Sequence, residues 1–176
     1  MLFRSREWRS PLLAGGPTVR REAGRIVPIP MVDYYLEICR WLGLEVPAEP
    51  RPRLFYNHTL GERARAILAR HDVTESDFVV ALNPGASFGS SKCWPPEYFA
   101  QLAELCQERL AAKVLMLSGP GEEEIVQAVL DRTQANAIDL RAERIDLEML
   151  KPVVDRCNLM ITNDTGPRHY AVAFDV

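Results

Sequence analysis

From residue 77 onward the sequence predicts an α/β fold, a parallel sheet with helices on both faces. Phe78–Leu82 is a continuous apolar run with two β-branched valines, the pattern of a strand buried on both faces. Short runs of this kind then alternate with longer stretches of helical periodicity to the end of the chain. Polar loops containing glycine and proline follow the first and last runs, Asn83-Pro84-Gly85-Ala86 and Asn163-Asp164-Thr165-Gly166-Pro167.

Taken in order, residues 1–30 hold little periodicity. Short strands or turns are expected around Leu2–Phe3 and Leu12–Leu13, then an extended Ile26-Val27-Pro28-Ile29-Pro30. Met31–Leu42 sets Val32, Tyr35, Leu36 and Cys39 on one face of a short amphipathic helix. Gly43 ends it, and Pro47, Pro50 and Pro52 keep the next segment extended. Thr59-Leu60-Gly61-Glu62 reads as a capping box, opening a helix from Leu60 to about His71 with Leu60, Ala64, Ile67 and Leu68 inward.

After the Phe78–Leu82 strand, Pro95 or Pro96 opens a helix that buries Phe99, Leu102, Ala103, Cys106 and Leu110. Lys113–Leu117 is the second strand, and Glu122, Glu123 and Glu124 enter the first turn of the following helix, where carboxylates favour the dipole. Ile125, Val126, Val129 and Leu130 form its inner face. Ala137–Leu140 is the third strand. Asp146 caps a helix carrying Leu147, Leu150 and Val154, Asn158–Thr162 is the fourth strand, and a last helix begins near Pro167.

Composition narrows the function. With 47% hydrophobic and 26% charged residues the chain has the profile of a soluble globular protein, and a net charge of −3 argues against a nucleic-acid partner. The arginine-rich first 25 residues read as a solvated basic surface, with attraction to an anionic substrate or membrane face as the sharper alternative. Cys39, Cys93, Cys106 and Cys157 have neither metal-ligand nor redox spacing, which suits a reducing cytosol. No apolar run nears the ~20 residues of a bilayer span. The expectation is a soluble, cytoplasmic protein.

Chemistry concentrates in the two polar loops. Ser87 and Ser90 follow the Asn83–Ala86 turn, and Lys92 precedes the next helix, within reach of a diphosphate held over the loop. A tight turn beside a solvated lysine accounts for this loop equally well. It is neither a P-loop nor a Gly-x-Gly-x-x-Gly turn. Asp164, Thr165, Gly166, Pro167, Arg168 and His169 gather at a strand's end, where ligands of open α/β sheets bind. His169 alone reads as a satisfied, partly buried histidine; the cluster as a whole reads as a site. Glu122 to Glu124 offer a carboxylate for ribose hydroxyls or form a solvated acidic turn. Trp94 is read as packing between helix and sheet, with base stacking the alternative.

These blocks, Asn83-Pro84-Gly85-Ala86, Lys92-Cys93-Trp94-Pro95 and Thr162-Asn163-Asp164-Thr165-Gly166-Pro167-Arg168-His169, resemble the ADP-heptose:lipopolysaccharide heptosyltransferases of glycosyltransferase family 9. The resemblance covers roughly residues 26–176 and is strongest after Phe78. It implies a GT-B enzyme built from two Rossmann-like domains. Residues 1–76 would be the remnant of the N-terminal acceptor domain with the interdomain linker, and 77–176 the nucleotide-sugar domain, incomplete at its C-terminal end.

The implied reaction is inverting, metal-independent transfer of heptose from ADP-heptose to the lipid-linked lipopolysaccharide inner core. The phosphate-binding lysine falls on Lys92 with a hydroxyl at Ser87, the donor loop on Asp164, Thr165 and Gly166, and the family histidine on His169. A donor-ribose acid falls among Glu122 to Glu124, with Glu122 the representative. No cofactor is implied beyond the ADP-sugar donor. Peripheral association with the inner membrane is left open. The family's general base, an aspartate early in the N-terminal domain, would lie outside this chain, so no catalytic residue is assigned. Another nucleotide-sugar transferase and a non-catalytic nucleotide-binding module are the alternatives.

Overall fold

The computed structural model describes residues 15–18, 20–86 and 93–176. The strands or turns expected at Leu2–Phe3 and Leu12–Leu13 lie outside the described residues, as do Ser87, Ser90 and Lys92. Contacts divide the chain into two compact units, residues 1–52 and 53–176.

In the first unit, β1 (Arg21–Glu22) and β2 (Arg25–Ile26) form a small hairpin, with Arg21 opposite Ile26. Its two turn residues, Ala23 and Gly24, both have positive φ (48° and 77°), as a primed two-residue turn requires. Helix α1 (Met31–Trp41) follows Pro30, and the chain leaves it through Gly43 at φ 74°. The expected inward face of α1 is not realised within this unit: none of its residues is buried and Tyr35 is 62% exposed. Trp41 instead closes over Gly15, where a Cβ would lie 2.6 Å from the indole.

The second unit is a three-layer sandwich. It opens with α2 (His58–Arg70), whose N-cap is Asn57, its side chain accepting the Leu60 N–H at 2.9 Å. That corrects the capping box expected at Thr59: the helix starts one residue before it. Then come β3 (Val79–Asn83), α3 (Pro96–Leu110), β4 (Lys113–Met116), α4 (Glu123–Leu130), β5 (Ala137–Asp139), α5 (Leu147–Asp155), β6 (Leu159–Thr162) and α6 (Pro167–Phe174).

The four strands β3 to β6 are parallel, in the spatial order β5-β4-β3-β6. Two right-handed steps build the sheet outward from β3, and the chain then crosses back to add β6 on its other side. One face packs Ala64, Ile67 and Leu68 of α2 with Met149, Leu150, Val153 and Val154 of α5 against Val79, Ala81 and Leu115. The other packs Phe99, Ala100, Ala103 and Cys106 of α3 with Val126 and Val129 of α4 against Val80, Leu82 and Val114. Every residue of β3 is buried, as a central strand demands.

Three residues expected in the core lie outside it, each at the end of an element. Phe78, just before β3, is 40% exposed, Leu110 closes α3 at 46%, and Leu147 opens α5 at 70%. Helix α2, grouped from the sequence with residues 1–76, packs with the sheet's helix layer through α5. Among the described residues no helix is long and apolar enough to cross a membrane.

Candidate functional site

The sheet reverses direction between β3 and β6, so the loops leaving these adjacent strands frame the crevice where open α/β sheets bind ligands. Both strands end on asparagine-bearing corners that hold each other. Asn83, almost fully buried, donates from Nδ2 to Thr162 Oγ1 at 3.3 Å. Asn163, 8% exposed, donates from Nδ2 to the Pro84 carbonyl at 2.7 Å and accepts the Trp94 N–H at 3.1 Å. Each buried amide is satisfied, so two loops far apart in sequence become one rigid ledge.

The loop after β4 joins this ledge through Glu122. Its Oε2 accepts the Gly119 N–H at 2.7 Å, and its carboxyl lies against Gly85, where a Cβ would sit only 2.0 Å from the carboxyl carbon. The chain turns through Gly121 at φ 79°, a conformation that favours glycine.

Beyond β5 the chain forms a short 3-10 turn, Arg141–Glu143, followed by Arg144 in the left-handed region at φ 50°. The Arg141 guanidinium chelates Asp139 through Nε and Nη2 (2.7–3.0 Å) and also donates to the Glu123 carbonyl and Gln127 Oε1. The hydrogen bond from Arg141 is the main reason the Asp139 carboxyl is held below the usual carboxylate range, against the opposing effect of burial. Glu143 is likewise held low, first by the His71 ring and then by Arg70, with burial again opposing.

Across the C-terminal ends of the four strands these loops enclose a cavity of about 610 Å³, within the range of small-molecule sites. Leu117, Leu140, Ile145, Leu147 and Leu150 make an apolar wall, and Asn83, Ser118, Glu122, Glu123, Arg141, Arg144, Asp146 and Thr165 supply polar atoms.

Three helix N-termini reach the cavity; that of α5 is capped by Asp146, and those of α4 and α6 differ in charge. Helix α4 carries Glu123 and Glu124 in its first turn, behind Glu122 at its N-cap, so its positive end is already answered. Helix α6 has no acid in its first turn and no side-chain cap. Its N-cap, Gly166, has ordinary helical φ of −51°, and a Cβ there would meet nothing within 4 Å among the described residues. Neither backbone conformation nor protein packing accounts for glycine at this position. What it leaves open is the approach to the helix terminus.

Of the residues singled out in the sequence, Glu122, Thr165 and Gly166 come together on the cavity wall. Asp164 is exposed beside them and pairs with Arg168, the second residue of α6. His169 is exposed on α6, 3.5 Å from Arg168 Nε, and is not part of the wall. Trp94 is 43% exposed, tilted against Tyr98 and edge-on to Phe99, so its packing is with α3. Among the described residues no group of three or more His, Cys, Asp or Glu side chains could hold a metal ion.

The sequence reading missed the Leu140–Leu147 wall and the structural part of Asn83 and Asn163. The available signal was position: two arginines follow a predicted strand's carboxyl end, and an asparagine ends or follows each of the adjacent strands β3 and β6.

An open parallel sheet with this order, flanked by helices and hollowed at its reversal point, defines the Rossmann-like unit of a GT-B glycosyltransferase. The chain belongs to glycosyltransferase family 9 (heptosyltransferase), whose sequence profile matches residues 27–176. It is 30% identical over 100 residues to lipooligosaccharide heptosyltransferase 2 of Campylobacter jejuni, covering 56% of this chain and 31% of that protein. It is 28% identical over 151 residues to lipopolysaccharide heptosyltransferase 2 of Salmonella typhimurium, covering 82% and 43%. The crystal structure of a family 9 glycosyl transferase from Veillonella parvula superposes with a TM-score of 0.78 at 26% identity, covering 90% of this chain and 43% of that one. The chain thus spans less than half the length of each of these relatives.

Proposed function

We propose that this chain carries the donor half of a heptosyltransferase and binds ADP-heptose across the strand ends, for transfer to the lipid-linked lipopolysaccharide core. One observation carries the reading: α6 has no acid in its first turn, the nearby Asp164 is paired with Arg168, and Gly166 opens the terminus at the point where the strand order reverses. An anionic diphosphate fits there and is disfavoured at the acid-laden start of α4. Thr165, Gly166, Asp164 and His169 lie at or beside this end, with Ser87 and Lys92 of the β3–α3 loop assigned to the same phosphates by family resemblance. Strand β5 is three strand spacings from β6, about 14 Å, so the apolar wall after β5 takes the base end of the nucleotide. Glu122 has one carboxylate oxygen committed to Gly119 and the other available for a ribose hydroxyl.

In the proposed reaction an acceptor oxygen attacks the anomeric carbon, the bond from that carbon to the phosphate oxygen breaks, and ADP leaves with inversion. Charge gathers on the departing diphosphate. The positive end of the α6 dipole, with Lys92, would stabilise it without a metal. A general base must take the acceptor's proton; no residue of this chain is assigned to that task. We assign residues 77–176, with α2 packed on their sheet, to the donor domain and the rest of 1–76 to the acceptor domain's tail and linker, with a cytoplasmic location at or near the inner membrane.

Calorimetric titration with ADP and ADP-heptose, with UDP and GDP as controls, tests the reading. Selective binding of the adenine nucleotides is expected. Equal binding of all three diphosphates would move the chain to another nucleotide-sugar transferase, and no binding by a chain with native circular dichroism would overturn the donor site.

A further inference from the structure

The Leu140–Leu147 wall is a surface segment, and its fixed position requires an anchor. At one end Arg141 is tied to Asp139, and at the other Asp146 caps α5 through the Met149 N–H at 2.8 Å. Between them the anchor is Glu143, whose side chain is only 16% exposed. One carboxylate oxygen lies 2.9 Å from His71 Nε2 and the other is gripped by Arg70, both residues at the C-terminal end of α2. The pair closes over 72 residues of sequence and joins the outer helix layer to the rim of the cavity.

Arg144 is the next residue. Its backbone sits in the left-handed region at φ 50°, a conformation that costs a non-glycine residue free energy and persists only where neighbours enforce it. Arg141, the other cation on the wall, is fully engaged by Asp139, Glu123 and Gln127. Arg144 also lines the cavity, and its guanidinium makes no hydrogen bond or ion pair among the described residues. It stands beside Leu140, Ile145 and Leu147, at the end of the cavity that takes the base. A planar guanidinium with no protein partner next to an apolar slot suits the face of an aromatic ring.

We propose that Glu143, clamped by Arg70 and His71, is a positioning residue for the nucleotide and acts through Arg144, which covers the face of the bound base. This inference rests on the donor-site reading above. It makes helix α2, which contributes nothing to the cavity wall, a determinant of nucleotide affinity.

The test is a double-mutant cycle on the whole chain, with ADP as the probe in calorimetry and thermal melting in parallel. Arg144→Ala and Glu143→Gln should each weaken ADP binding by about fivefold to tenfold, the scale of one cation–π contact. The double variant should be no weaker than Arg144→Ala alone, since Glu143 has nothing left to position. Arg70→Gln combined with His71→Asn should reproduce the Glu143→Gln effect from the other side of the clamp. Multiplying losses in the double variant would overturn the coupling, and wild-type affinity in Arg144→Ala would overturn the contact. A fall in melting temperature with unchanged affinity in Glu143→Gln would reduce the clamp to a purely structural one. Absence of ADP binding by the wild-type chain would overturn the donor-site reading and this inference together.

Discussion

Asn163 and Pro84 are 79 residues apart in sequence and joined by a 2.7 Å hydrogen bond from the asparagine Nδ2 to the proline carbonyl. Pro84 lies just past the end of β3, so its carbonyl is outside the strand ladder and the asparagine side chain satisfies it. The same side chain takes the Trp94 N–H, so one amide fixes both sides of the crevice. Asn163→Ala strands a buried acceptor and a buried donor. Urea denaturation should report a loss of about 1–3 kcal/mol; a change within error would mean that the loops hold each other by other means.

Gly85 is required by close approach. In Gly85→Ala the new methyl meets the Glu122 carboxyl, which must swing away and release the Gly119 N–H. A destabilisation of about 1–3 kcal/mol is expected from this overpacking. Adding Glu122→Ala removes the obstacle, so the double variant should melt above Gly85→Ala alone. A double variant that melts lower than either parent would place the strain elsewhere.

Gly166 calls for the opposite outcome. Alanine there meets no atom of the described residues and needs no unusual backbone, so Gly166→Ala should leave stability unchanged or raise it by about 0.4–1 kcal/mol. ADP affinity should nonetheless fall by about tenfold or more, equivalent to about 1.4 kcal/mol, because the methyl occupies the approach to the α6 terminus. Undiminished ADP affinity would place the phosphates away from this terminus.

Acid should loosen the rim first. Asp139 and Glu143 both have folded-state values lowered by their cationic partners, so the folded state binds these protons less readily than the unfolded chain. Their stabilising contribution is complete above the unfolded values, about 3.9 and 4.3, and is lost as the pH falls through the lower folded ones. Asp139→Asn should therefore melt below wild type at neutral pH and show a shallower decline on acidification. Parallel melting curves at every pH would exclude this linkage.

Burial separates the cysteines. Cys157 is buried and donates to the Val153 carbonyl at 3.2 Å, and desolvation pushes its thiol up to about 12. Burial also raises Cys106. A disulfide-exchange reagent at neutral pH should leave both unmodified in the native chain and label them on unfolding. Rapid native labelling of Cys157 would show that α5 opens locally.

The sheet was legible because its strands advertise themselves: Val79 to Leu82 are apolar at every position, as only a strand covered on both faces would be. The second loop stood out in the sequence because a capping role could not absorb Asp164, Thr165 and His169 together, whereas the first read equally well as a site or as a tight turn. What the sequence concealed depends on strand order. Leu147 has the spacing of a core residue, yet as the first residue of α5 it projects over the cavity rather than into the sheet. Arg141 to Arg144 matter only once β5 is known to lie beside β4, and that pairing leaves no local trace. Thr59 reads as a cap because Glu62 follows it at capping-box spacing; that Asn57 takes the place instead depends on how the preceding extended segment enters.

The order β5-β4-β3-β6 also has a consequence in time. Strands β3, β4 and β5 can pair as they follow one another, but β3 must keep its second edge open until β6 arrives from 79 residues away. Closing so long a loop is slow, and parallel pairing rewards it only when complete. The α6 terminus and the Asn163 bridge arrive with β6, so a partly assembled sheet holding β3 to β5 has no crevice to offer. A nucleotide would therefore bind only a sheet in which β6 has joined β3, and would draw the folding equilibrium toward it by mass action. In this arrangement the ligand acts as a check on that one pairing, favouring only those molecules in which β6 has docked.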